Sequence, residues 1–368
     1  MCSFRSILQG LAYLSVCGVL LLLYACGSTP HSSYQRGVER FTQAQSQADY
    51  AAAAEYFRRA AKAGYAPAQA ALATLYEHGH GLDQDHQQAV AWYRKAALQG
   101  HVEAQIALGH AYYHGLGVGA NASVAAQWYA SAAEQGHGLA KALIADRYRH
   151  GDGVEQDLQR AYEWLQAAAE YGHAVAQFDL AEIYEEGLLG NAQPDLARHW
   201  YGAAAEQGLA EAQFQLARMQ LLGVGGDTDH HQAMDWFLAS ARQGHPKAQG
   251  ALAMLYEQGG DDFEPDLDQS RYWLEQAAEG GFAAAQLGWG LILIEEDDPE
   301  RGLRWVRRAV DQGDAQAQFT LGRLYALGEI VPQNRQQAVR YTRQAADQGH
   351  VGARAALQRL EEVSQGAP

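Results

Sequence analysis

Apolar and polar positions along the chain recur with a period near 36 residues, and within each period they fall at helical rather than strand spacing. Ala68, Leu72 and Tyr76 stand at i, i+4 and i+8, and the same trio returns as Ala104, Leu108 and Tyr112 and as Ala176, Leu180 and Tyr184. That spacing lines one face of a helix, helix A of each period. A second segment, helix B, carries a bulky pair: Tyr56-Phe57, Trp92-Tyr93, Trp128-Tyr129, Trp164-Leu165, Trp200-Tyr201, Trp236-Phe237, Trp273-Leu274, Trp305-Val306 and Tyr341-Thr342. Seven of the eight tryptophans, Trp92, Trp128, Trp164, Trp200, Trp236, Trp273 and Trp305, thus share one position. Four residues after each pair come two small residues, usually Ala-Ala, so large and small side chains alternate on one face and neighbouring helices can approach to ~8–10 Å. No single period can bury such a face alone.

Glycines and caps punctuate the pattern. Helix B ends at an anchor glycine, Gly64, Gly100, Gly136, Gly172, Gly208, Gly244, Gly281, Gly313 or Gly349, at intervals of 36 except one of 37 and one of 32. Fifteen residues earlier stands Asp49, Asp85, Asn121, Asp157, Gln193, Asp229, Asp266, Asp298 or Asn334, and all but Gln193 are good N-caps. Gln88, Gln232, Gln269 and Gln337 follow three residues on, as a capping box requires. Pro194 and Pro299 take the first helical position, where the missing N–H costs nothing. Helix A closes at Gly79, Gly115, Gly151, Gly187, Gly223, Gly259 or Gly328. Two helices of about 13 residues per period predict ~70% helix, against a base rate of ~30–35%.

The run A-x-x-x-L-x-x-x-Y-x-x-G-x-G-V-x-x-D-x-x-x-A-x-x-W-Y-x-x-A-A-x-x-G, as at Ala104–Gly136 and Ala140–Gly172, resembles the Sel-1-like repeat, a relative of the tetratricopeptide repeat. The resemblance implies an all-α superhelix over residues 34–361, a right-handed solenoid of about nine helix-turn-helix repeats closed by a helix from Val351. It also implies an adaptor or scaffold for protein complexes, in envelope roles that include exopolysaccharide secretion and cell-wall assembly. One repeat departs from the pattern. Between Gly281 and Gly313 it is four residues short, has Trp289 for the helix A leucine, and carries Glu295-Glu296-Asp297-Asp298 where the turn glycine belongs, which predicts a local kink or altered pitch.

The N-terminus reads differently. Residues 1–25 hold Arg5 as their only charge and an apolar run from Ile7 to Tyr24, which has the form of a secretory signal. Leu23-Tyr24-Ala25-Cys26 resembles a bacterial lipobox, with Cys26 as the acylated mature N-terminus; an uncleaved membrane helix is the alternative. The residue after Cys26 is Gly27, not the Asp of inner-membrane retention, so the resemblance implies an outer-membrane lipoprotein facing the periplasm. Residues 26–33 then read as a lipidated end and short polar leash, and 362–368 as a tail.

Charge and chemistry change the picture little. The net charge of −16 becomes −17 from Cys26 onward, which repels nucleic acid and suits a protein partner with a basic patch. All three cysteines lie in the first 26 residues, so the repeats hold neither disulfides nor a thiolate nucleophile. His78, His114 and His150 share one repeat position, with His110 a turn from His114, and a strip of this kind can bind Zn, Cu or Ni. His101, His137, His173, His245 and His350 belong to the repeat consensus instead. The glycine strings at Gly115–Gly119 and Gly223–Gly226 close helices rather than opening them after strands, unlike phosphate loops. The acidic run Asp261–Asp268 lacks the glycine and glutamate of an EF-hand loop, and Asn121 of Asn121-Ala122-Ser123 is a helix cap. No Gly-x-Ser-x-Gly, His-Glu-x-x-His or Ser-x-x-Lys grouping occurs.

The expectation is therefore a membrane-tethered envelope scaffold that is not an enzyme, takes no cofactor, binds no nucleic acid and engages envelope proteins. A periplasmic metal-binding protein is the second reading, and a cell-wall or β-lactam-related hydrolase the third.

Overall fold

The computed structural model describes residues 29–260 and 264–365. The segment expected as a signal, Cys26, residues 261–263 and the last three residues lie outside them. Nineteen helices and no extended strand ladder occur among the described residues. In chain order they are α1 Pro30–Thr42, α2 Gln47–Lys62, α3 Ala66–His78, α4 His86–Ala97, α5 Val102–His114, α6 Ala122–Glu134, α7 Gly138–His150, α8 Leu158–Ala169, α9 Ala174–Glu186 and α10 Pro194–Glu206. They continue as α11 Ala210–Leu222, α12 His230–Arg242, α13 Pro246–Gln258, α14 Leu267–Glu279, α15 Ala283–Glu295, α16 Pro299–Asp311, α17 Ala315–Leu327, α18 Arg335–Asp347 and α19 Val351–Gln365. The chain forms two compact units, one up to Leu180 and one from Ala181. Within each, a helix packs mainly on its neighbours in sequence, the arrangement of an all-α repeat solenoid.

The core is built of alanine. Ala96, Ala97, Ala104, Ala132, Ala133 and Ala140, with their equivalents, are almost wholly buried, and Leu72, Leu108, Ile144, Leu180 and Leu252 fill the helix A side. The bulky pair of helix B is split by the 100° turn between consecutive residues. Tyr93, Tyr129, Leu165, Tyr201 and Phe237 are buried, whereas Trp92, Trp128, Trp164, Trp200 and Trp236 are half-buried. Trp92 packs against the cores on both sides of it and so spans successive repeats. Trp273 differs: it is itself buried, with its indole N–H unpartnered.

Seven of the eight expected caps accept a hydrogen bond from the N–H three residues on, as Asp85 does from Gln88 at 2.9 Å and Asn121 from Val124 at 3.1 Å. Gln193 makes no such bond. Asp49 is not a cap. Ser46 begins α2 three residues earlier, and Asp49 completes a reciprocal capping box with it. The Gln232 amide, expected in such a box, instead accepts from Gln220.

The leash expected at 26–33 is partly helix. Thr29 accepts from the Ser32 N–H at 3.1 Å, Pro30 fits the first turn, and His31 packs edge-on against Tyr65, so α1 starts inside that segment. At the other end α19 runs to Gln365, past the boundary expected at 361.

The shortened repeat closes by a different route. Asp297 takes the left-handed conformation, φ 67°, that glycine supplies elsewhere. A side-chain carbon at Gly290 would lie 2.8 Å from the Gly302 carbonyl, so both glycines are needed for α15 and α16 to meet.

Candidate protein-interaction surface

Most joints between repeats turn on a buried glutamine. Gln105 on α5 donates from Nε2 to the Ala97 carbonyl at 3.2 Å, and its Oε1 accepts from Gln135 at the end of α6, 2.8 Å away. One side chain therefore ties together the ends of two successive B helices. Gln69 does the same with Ala61 and Gln99, Gln213 with Ala205 and Gln243, and Gln286 with Ala278 and Gln312. Two joints depart from this. At the first, Lys141 replaces the glutamine and Tyr171 replaces its partner; the ammonium lies 4.5 Å from the Tyr171 ring centre and 3.4 Å from the Ala167 carbonyl. At the second, Gly280 stands where the partner glutamine belongs, and Gln249 Oε1 is buried without a hydrogen bond. The Ala-Gln dipeptides are visible in the sequence, but their function as joints required the pairing with a glutamine 30 residues later, or 26 in the short repeat.

Polar clusters sit where helix A meets helix B. The Tyr93 hydroxyl donates to Glu77 at 2.6 Å and lies 2.9 Å from Thr74, and the Tyr201 hydroxyl donates to Glu185, which also pairs with Arg218. Burial, then the adjacent carboxylate, pushes both phenols far up. Burial alone dominates at Tyr129, pushed up to about 12. Arg147 lies 4.2 Å over the Tyr113 ring and pairs with Asp146 and, at 2.7 Å, with Asp152. These groups fix side chains; none forms a nucleophile with its base.

The histidines fall into two sets. His101, His137, His173, His245 and His350 cap the A helices, each Nδ1 accepting from the N–H three residues on at 3.0–3.4 Å. Asp314 takes that place in the last full repeat, at 2.6 Å from the Ala317 N–H. The candidate metal strip is dispersed. His78 Nδ1 meets the Thr74 carbonyl and its ring stacks on His80; His110 and His114 stack at 6.2 Å; His150 pairs with Asp146 at 3.0 Å. No group of three metal-ligating side chains forms among the described residues. The glycine strings offer no phosphate cradle: a side-chain carbon at Gly117 would lie 2.3 Å from the His86 backbone, so the loop is closed by the preceding repeat.

Nine consecutive segments, residues 31–65, 66–101, 102–137, 138–173, 174–209, 210–245, 246–282, 283–314 and 315–350, match the Sel1 repeat model. The chain belongs to the Sel1 repeat family. Sel1 repeat chains typically mediate protein–protein interaction as non-catalytic scaffolds. Among solved structures, a Sel1 repeat protein from Oxalobacter formigenes is 31% identical, with a TM-score of 0.59, over 67% of this chain and 96% of that one. A protective antigen present in uropathogenic Escherichia coli strains, with an SLR fold, is 30% identical over 95% of this chain and 83% of that chain, with a TM-score of 0.51. A chitin synthase regulator of Saccharomyces cerevisiae is 36% identical over 92 residues, 23% of this chain but 13% of the regulator. The chain thus spans about an eighth of that curated relative's length.

In Sel1 terms, the departures described above are confined to particular repeats. The Lys141–Tyr171 joint lies in the fourth repeat, and Gln249, with its Oε1 unsatisfied, lies in the seventh, just before the short eighth repeat. No described helix is long and apolar enough to cross a membrane.

Proposed function

We propose that this chain is an exported lipoprotein, anchored through Cys26, whose Sel1 repeats hold other envelope proteins together on the periplasmic side of an outer membrane. The observation that carries the reading is the join between two parts: a lipobox-like Leu23-Tyr24-Ala25-Cys26 followed, four residues after the cysteine, by a repeat array that begins at Pro30. So short a connection keeps the start of the first helix within roughly 15 Å of the lipid, at ~3.5 Å per residue. Its binding area is spread over many helices, which suits large partners of an assembly complex such as those of exopolysaccharide secretion or cell-wall synthesis.

Crosslinking in intact cells, followed by mass spectrometry of what co-purifies, tests this against a Cys26→Ser variant. The expected result is one defined set of envelope proteins that is lost with the cysteine. Capture of no partner by the native protein, or the same set from both, overturns the tethered scaffold.

A further inference from the structure

The charge of the chain reverses near its end. Residues 29–298 hold 36 carboxylates and 16 Lys or Arg residues, whereas Pro299–Leu360 hold ten arginines and five carboxylates. The reversal falls on equivalent positions of the repeat. Nine residues before the anchor glycine stand Glu55, Glu163 and Asp235 in earlier repeats, but Arg304 and Arg340 in the last two. Six before it, Arg307 and Arg343 continue a position that Arg58 and Arg94 already hold in two earlier repeats, so the reversal itself lies at Arg304 and Arg340.

The packing of α16 and α18 turns these arginines outward. Gly302, Leu303, Val306 and Ala309 form the buried face of α16, and Ala338, Thr342, Ala345 and Ala346 that of α18. Arg304, Arg307, Arg308, Arg340 and Arg343 are exposed on the opposite sides. Aromatic rings lie beneath two of them: the Arg308 guanidinium is 4.4 Å from the Trp305 ring centre and that of Arg340 is 5.3 Å from Tyr341. Such stacking holds a guanidinium plane while leaving its N–H fork free for a carboxylate. Arg304 and Arg307 have no ion-pair, hydrogen-bond or ring partner among the described residues.

We propose that the outer face of α16 and α18 docks a short acidic segment of a partner protein. The proposal rests on the scaffold reading and names the chemistry of one of its partners. The size of the patch decides between anions. A 13-residue helix is ~20 Å long, and Glu295, Glu296, Asp297 and Asp298 border α16 immediately. A nucleic-acid duplex or anionic membrane extends past the patch onto those carboxylates, which repel it. A compact carboxylate-bearing segment fits between them.

The test is fluorescence anisotropy of a labelled Glu-rich peptide of about 12 residues against the full chain, with a Lys-rich peptide as control. Saturable binding is expected at about 50 mM salt and a weakening of about tenfold or more at about 500 mM. Arg304→Glu with Arg340→Glu weakens it at least about tenfold, while Arg242→Glu, an exposed arginine of α12, leaves it unchanged. Circular dichroism checks the helicity of each variant; Arg304→Gln with Arg340→Gln serves if the charge reversal unfolds the last repeats. No binding, binding indifferent to the arginines, or tighter binding to anionic vesicles or duplex DNA overturns the proposal. Envelope partners still captured by crosslinking in that case leave the scaffold standing and remove this face alone.

Discussion

Gly136 and Gly117 both have positive φ, 92° and 70°, yet substitution costs different things at the two. Nothing lies within 4 Å of a side-chain carbon at Gly136, so Gly136→Ala strains only the backbone and should cost about 1 kcal/mol. Gly117→Ala adds a collision with the His86 backbone and should cost about 2–4 kcal/mol, read as a shift in the urea midpoint. Equal losses would show that the close approach at Gly117 is relieved elsewhere. One capping histidine adds a pH dependence. Burial, then the neighbouring His137, holds His173 below the ordinary histidine value of 6.5. A lowered folded value means that the unfolded chain binds more protons. The stability from this cap is therefore full above about pH 6.5 and lost as pH falls below it, because protonated Nδ1 cannot accept from the Ala176 N–H. His173→Asp, the arrangement Asp314 already uses, should flatten the fall in Tm between pH 7 and pH 5.

At the level of helices, the joints should be exchangeable in pairs but not singly. Lys141→Gln or Tyr171→Gln alone leaves one half of a mismatched joint and should cost about 1–2 kcal/mol, whereas the double variant rebuilds a glutamine pair and should recover most of it. A double-mutant cycle measures the coupling, and strict additivity would sink the idea. Gly280→Gln offers Gln249 Oε1 its missing donor in a residue already at φ −68°, and should raise the unfolding midpoint although Pro246 must yield slightly. Sequence periodicity showed where these helices lie, because spacing and caps are local. It left Asp49 misplaced, since Ser46 competes for the same helix end, and it did not show that Trp92 bridges repeats while Tyr93 fills a core. Those outcomes depend on which neighbour each face meets, and the joint glutamines depend on partners 30 residues away.

For the molecule as a whole, stability should be distributed repeat by repeat rather than held in one core. Ending the chain at His350 strips Ala353 and Leu357 from Ala345, Ala346 and Phe319. Hydrogen exchange should then quicken in residues 315–350 and stay unchanged in 47–100; acceleration throughout would mean the array unfolds as one body. The glutamine joint also bears on how such a chain changes length. Because Gln69–Gln99 and Gln105–Gln135 are chemically identical couplings, a repeat cut out or copied between them leaves matching ends, like cars in a train with standard couplers. Lys141–Tyr171 is a coupler of another gauge, and Gln249 lacks its partner at Gly280, so a cut at either of those joints leaves ends that do not match.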